Sequence, residues 1–447
     1  MVGLATGERV YHRFTARRYH ARGRSHGMNR KQRRAEASKA KRRGPGPAEG
    51  LVRDAQARHR AGDAAGAAEG YRAALAIAPD DADALMGLGA ALATLGRPEE
   101  AIQSFRRAAK ILPNVAAVHR DFGAAMFDLG RWEEGLAAFQ RAIAIAPADA
   151  RALTGLGEML VEVGRRDEAR AVLDRAVAAD ALFAPAWFQM HRAVYDDRDL
   201  GPAIDALTRA VLHDPALVLA RFCLGVALDL AGRETAAEQQ FASLHADERV
   251  YRGAVESWRY AKAHRAPGTR FFVATRDVLR FALDQATIEG AVLELGVRYG
   301  ISTRWIAERA GGVVHAFDSF AGLPEAWHVL PKGAYSTHGV VPDLPGNVEV
   351  HVGLFAETLP PFAASLGGPI RFGNVDCDLY TSTKEALDAL APRVAPGTVL
   401  VFDEYLVNDA WREDEFKAFQ EAVAARGWKY EYLAFSLLTG QAVVRLL

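Results

Sequence analysis

Apolar positions in the first half of the chain recur at helical spacing, and the pattern itself repeats every 34 residues. Pro79, Pro113, Pro147 and Pro215 fall on one grid, with Ala181 filling the vacant place. Gly62, Gly96, Gly130, Gly164 and Gly232 fall on a second, broken at Arg198; Tyr71, Phe105, Phe139, Leu173, Leu207 and Phe241 form a third. Three grids in phase predict paired helices, with glycine at the turn inside each pair and proline after each second helix. Small residues such as Gly89, Gly123, Gly157 and Ala101 let those helices approach closely. A single pair cannot bury its apolar face alone, so five or six pairs must stack, and YRGAVESWRYAKAHRAPG (251–268) reads as a closing helix and a Pro-Gly break. From 269 onward short β-rich runs alternate with amphipathic helices: AVLEL (291–295), VVHAF (313–317), VEVHV (348–352), IRFGNVD (370–376) and TVLVF (398–402). That alternation predicts a parallel sheet wrapped by helices, and KYEYLAF with QAVVRLL predicts a hairpin at one sheet edge.

The 34-residue unit resembles the tetratricopeptide repeat, in segments such as ALMGLGAALATLGRPEEAIQSFRRAAKILP. The resemblance implies an all-α solenoid whose groove docks a protein or peptide partner, or a second copy of the chain. The expected organisation is a basic tail (1–44), a repeat solenoid (45–250), a capping helix and linker (251–268) and an α/β domain (269–447).

Composition sharpens this picture in three places. The 447 residues exceed one ordinary core. The formal net charge of zero conceals a tail with 14 Lys/Arg against Glu8 and Glu36, so the remainder carries −12, a poor balance for gripping phosphate backbones. Cys223 and Cys377 are the only cysteines and are far apart, so no disulfide framework is expected and a reducing, cytoplasmic setting is the default. No stretch approaches the roughly 18 apolar residues of a membrane span. The tail reads as disordered, serving either as a targeting arm or as a solvated segment; Met28, opening MNRKQRRAEASKAKRR, is a second candidate start, which would leave residues 1–27 untranslated.

Ligands of open α/β sheets bind outside the carboxyl ends of the strands, and the acidic residues of this half gather there. The first long strand runs into LELGVRYG, where Gly296 and Gly300 permit a tight turn beside Glu294. The spacing is not that of a dinucleotide fingerprint. A carboxylate in that place suits a cationic ligand such as the amino-acid and sulfonium end of S-adenosylmethionine, or else an ordinary strand–turn–helix. Asp318, followed by Ser319, stands where an acceptor for ribose hydroxyls belongs, or serves as a turn aspartate. Asp376 and Asp378 follow one apolar run, Asp403 and Glu404 another. His328 and His338, in the long insert AWHVLPKGAYSTHGVVPDLPGN, are candidate bases or surface residues; WREDEFKAFQEA reads as a charged-faced amphipathic helix.

LELGVRYG, FDSFAGLPE, GLFAETLPPF, VDCDLYTSTKEAL and PGTVLVFDEY, in that order, make residues from about 270 to 447 similar to class I S-adenosylmethionine-dependent methyltransferases of the macrocin O-methyltransferase (TylF-type) family. The resemblance implies a Rossmann-like methyltransferase that uses magnesium or a similar divalent cation to methylate a hydroxyl of a small molecule or glycan. It assigns Glu294, Gly296, Gly300, Asp318 and Ser319 to the cofactor and Asp376, Asp403 and Glu404 to the metal, with Asp376 catalytic. Where the family commonly has Asp-Asp, this chain has Asp403-Glu404. The contrasting readings are an inactive docking scaffold and a protein methyltransferase whose substrate lies in the repeat groove.

Overall fold

In the computed structural model, residues 46–244, 249–328 and 330–447 are described; the expected basic tail and Met28 lie outside them. Among these residues twelve helices run in pairs from Pro47–Arg60 and Ala64–Ile77 to Val218–Leu230 and Glu234–Leu244. The three sequence grids have the physical roles expected of them. Gly62, Gly96, Gly130, Gly164 and Gly232 all turn with φ between 68° and 90°, the left-handed region that a side chain disfavours. At Arg198 the turn is built otherwise: helix Ala184–Val194 stops early and Asp196 pairs with Asp199 in an isolated bridge. The aromatic grid is buried, with Tyr71, Phe105 and Phe139 against glycines of a neighbouring helix. A methyl group on Gly87 would stand 2.3 Å from the Tyr71 ring, and one on Gly89 2.7 Å from Phe105. Side-chain caps fix several helix starts, as where Asp63 accepts from Gly66 N and Asp81 from Ala84 N.

The chain divides into two compact units at Met159 and Leu160, within helix Ala150–Glu162. The first unit has its own core, centred on Tyr71, Leu88, Leu92, Phe105 and Met126. The second unit joins the later helix pairs and helix Arg249–His264 to an eight-stranded sheet: β1 (Arg270–Phe271), β2 (Ala291–Leu295), β3 (Val314–Asp318), β4 (Val348–Val352), β5 (Ile370–Val375), β6 (Val399–Phe402), β7 (Tyr430–Phe435) and β8 (Ala442–Leu446). Its order is β1-β7-β8-β6-β5-β2-β3-β4. β8 runs antiparallel to both neighbours, and the remaining pairs are parallel. The β7–β8 hairpin does not form the edge that its sequence suggested, because the two-residue β1 pairs outside β7. So short a strand gives no alternating pattern to read, yet it shields the longer β7. Strand order reverses between β2 and β5, which is the switch point where such sheets hold ligands.

Candidate active site

The ladder extends past the ends of four adjacent strands and sets their loops side by side. Gly296 N donates to Phe317 O, Asp376 N to Leu295 O, and Asp403 N to Val375 O, each at 2.9 Å. The loops carrying Gly296, Asp318, Asp376 and Asp403 therefore lie next to one another, on strands roughly 4.8 Å apart.

On the β2 side, Glu294 is fully buried and faces Asn374, whose amide donates at 3.4 Å. Its Oε2 has no hydrogen bond of good geometry. Burial pushes its pKa up to about 7, tempered by the Ser302 and Thr303 hydroxyls and by Asn374. Gly296 (φ 98°) cannot carry a side chain, because a Cβ would stand 2.0 Å from Asp376 O. Gly300 (φ 71°) opens helix Ile301–Arg309, and a Cβ there would stand 2.4 Å from Leu344. Asp318 accepts from Val297 N and Arg298 N through one oxygen and Phe320 N through the other. Three donors leave acceptor capacity on this half-buried carboxylate. Ser319 is occupied in its own turn, accepting from Ala321 N at 3.2 Å.

On the β5–β6 side, Asp376 is half-buried whereas Asp378, Asp403 and Glu404 are buried. Gln441 Nε2 donates to Asp403 Oδ1 at 2.6 Å. A fifth carboxylate, Glu415, is one that spacing along the chain did not single out. It is wholly buried and accepts from Cys377 N at 3.1 Å and Glu404 N at 2.9 Å, tying both acidic loops to one helix start. WREDEFKAFQEA therefore departs from the expected helix. Only Glu415–Arg426 is helical, Trp411 is buried in the preceding turn, and Glu415 points inward. The dense run of charged residues hid which of them was internal.

Burial, then the charges of Asp403, Asp378, Glu415 and Asp376, hold Glu404 well above the usual carboxylate range. A concentration of buried oxygen donors with like charge fits a hard divalent cation chemically. Their spacing is open. Among the described residues, the one set of three His, Cys, Asp or Glu ligand atoms within 4.8 Å of one another lies elsewhere, at His315, Glu349 and His351.

The insert after β3 packs Leu323 and Trp327 on Leu379, beside Asp378. His328 Nε2 lies 3.0 Å from Asp414 Oδ2, which raises the imidazole pKa, while His338 is exposed. Tyr380 turns away and donates to Glu421 at 2.7 Å. Arg298 lies over the rings of Tyr299 and Tyr335, 4.7 and 5.0 Å from their centres.

A helical repeat solenoid is thus followed by an α/β domain of Rossmann-like layout with acids at its switch point, and the class of that domain follows from its family match. Residues 293–405 match the family model of a methyltransferase domain, and residues 52–116 and 126–193 match tetratricopeptide-repeat models. The chain thus carries tetratricopeptide repeats and a methyltransferase domain. Over 121 residues it is 31% identical to the 8-demethyl-8-(2,3-dimethoxy-alpha-L-rhamnosyl)-tetracenomycin-C 4'-O-methyltransferase of Streptomyces olivaceus. That match covers 24% of this chain and 44% of the relative, so less than half the relative's length is spanned. Among solved structures, the calicheamicin methyltransferase CalS11 matches at 22% identity and a TM-score of 0.31, covering 38% of this chain and 77% of that one. Pseudomonas aeruginosa pilF matches at 19% identity and a TM-score of 0.41, covering 49% of this chain and 97% of that one. Among the described residues no helix is long and apolar enough to cross a membrane.

Proposed function

We propose that the chain transfers a methyl group from S-adenosylmethionine to a hydroxyl of a small molecule, assisted by magnesium or a similar cation. The observation carrying this reading is the row of strand-end loops that sets Glu294, Gly296 and Asp318 beside Asp376, Asp403 and Glu404. Glu294 supplies a buried acceptor for the donor's amino-acid end, and the unpartnered Oε2 is what such a cationic group would satisfy. Gly296 and Gly300 let backbone approach the donor, and Asp318 offers its remaining acceptor capacity to ribose hydroxyls. Ser319 belongs to the same wall, through its backbone rather than its engaged hydroxyl. Asp376, Asp403 and Glu404 would hold the cation, which lowers the pKa of a bound alcohol and so makes it a nucleophile. Half-buried Asp376 is nearest to solvent among these acids and is the one to touch the acceptor.

A sugar hydroxyl is the preferred acceptor class, supported by the rhamnosyl acceptor in the Streptomyces relative's name. The repeats would recruit a protein partner, a carrier or a second copy of the chain, in a cytoplasmic setting. Asp376→Ala is expected to abolish transfer while leaving S-adenosylmethionine binding by calorimetry largely intact. Wild-type turnover in that variant would refute the assignment, and no binding at millimolar donor would point to a scaffold instead.

A further inference from the structure

A second cluster lies on β3 and the edge strand β4, just before the strand end that carries Asp318. Parallel pairing sets His315 of β3 opposite Glu349 of β4, and the two-residue period of a strand puts His351 on the same face as Glu349. His315 Nδ1 is 3.3 Å from His351 Nε2 and 3.4 Å from Glu349 Oε2, and all three ligand atoms lie within 4.8 Å of one another. Two nitrogen or oxygen ligands bound at about 2.0–2.2 Å to a tetrahedral ion stand roughly 3.3–3.6 Å apart. The 3.3 and 3.4 Å separations fall in that range.

We propose that His315, Glu349 and His351 form a binding site for a divalent transition ion of the zinc class, closing edge strand β4 onto β3. Imidazole nitrogen favours zinc over magnesium, which prefers the all-oxygen set after β5 and β6. Aromatic neighbours fix both imidazoles in place: His351 stacks on Phe317 at 4.3 Å and 10°, and His315 packs on Phe362 at 4.7 Å. Glu349 is 63% exposed, so water reaches the fourth coordination position.

The test is calorimetric titration of metal-stripped full-length protein with zinc chloride in excess magnesium chloride, beside His351→Phe and Glu349→Gln. Phenylalanine keeps a ring on Phe317 and removes the ligand nitrogen. The wild type is expected to bind one more zinc equivalent than His351→Phe, Glu349→Gln to bind that equivalent more weakly, and cobalt(II) to give a visible d–d absorption lost in His351→Phe. Equal zinc stoichiometry and affinity in wild type and folded His351→Phe overturns the site. Should that variant fail to fold, unchanged affinity in Glu349→Gln, altered only at an exposed side chain, does the same.

Discussion

Glu294 shows how burial turns one side chain into a functional hypothesis with two opposed consequences. Its carboxyl has an ordinary pKa of 4.5 and a native one of about 7, so between those values the folded chain holds a proton that the unfolded chain has released. Stability contributed by this group therefore falls as pH rises from 4.5 to 7 and is constant above, a loss of up to about 3 kcal/mol. Glu294→Gln, neutral at every pH, is expected to raise stability at pH 8 relative to wild type and to reduce the difference between pH 5 and pH 8 in urea unfolding by the share of this one carboxyl, buried Glu404 and Glu415 keeping theirs. The same variant should weaken donor binding, because a carboxamide cannot neutralise a cationic amino group. An unchanged dissociation constant would detach Glu294 from the donor. Glu415 carries the complementary lesson. Its role depends on two backbone donors, Cys377 N and Glu404 N, that come from the ends of two different strands.

Helix Arg249–His264 is the element that links the last repeats to the acidic loops. Trp258 Nε1 donates to Asp229 of helix Val218–Leu230 at 2.7 Å, while Ser257 Oγ accepts from Val407 N at 2.8 Å, three residues beyond Glu404. Gly253 lies against the same loop, and a Cβ there would stand 2.6 Å from Asn408 O and 2.9 Å from Asp409 Cα. Because both contacts are backbone, Gly253→Ala must displace the helix or the loop. The expected cost is about 1–3 kcal/mol of stability, with slower transfer and unchanged donor affinity, since the loops after β2 and β3 are untouched. Turnover equal to wild type would show that the helix caps the repeats without positioning the acids. The sequence of YRGAVESWRYAKAHRAPG suggested a helix closing the last repeat, but not that its other face meets the loop after β6.

At the scale of the molecule, the later repeats and the sheet share one core: Phe188, Phe222, Phe241 and Trp258 belong to the same buried cluster as Phe271, Phe402, Tyr405 and Tyr432. Polar contacts reinforce it. Asp197 receives both Arg270 Nε and Nη2, at 2.7 and 2.6 Å, and Phe271 N at 3.0 Å; buried Arg192 donates to Val273 O and pairs with Glu162. A fragment of residues 160–447 is expected to unfold in one cooperative transition, whereas residues 269–447 alone, with Phe271 and Val273 uncovered, should melt at lower temperature or aggregate. Equal melting temperatures in calorimetry would disprove the shared core. The sequence by itself determined the repeat period, the glycine turns, the position of the long strands along the chain, and the acids at their carboxyl ends, because each is written in local spacing along the chain. Only the tertiary structure decided that β1 covers β7, that Glu415 lies inside and joins both acidic loops, that His315, Glu349 and His351 come together, and that the repeats continue into the sheet's core. Those features depend on which distant segments meet, and burial and pairing across such distances leave no periodic trace in the sequence.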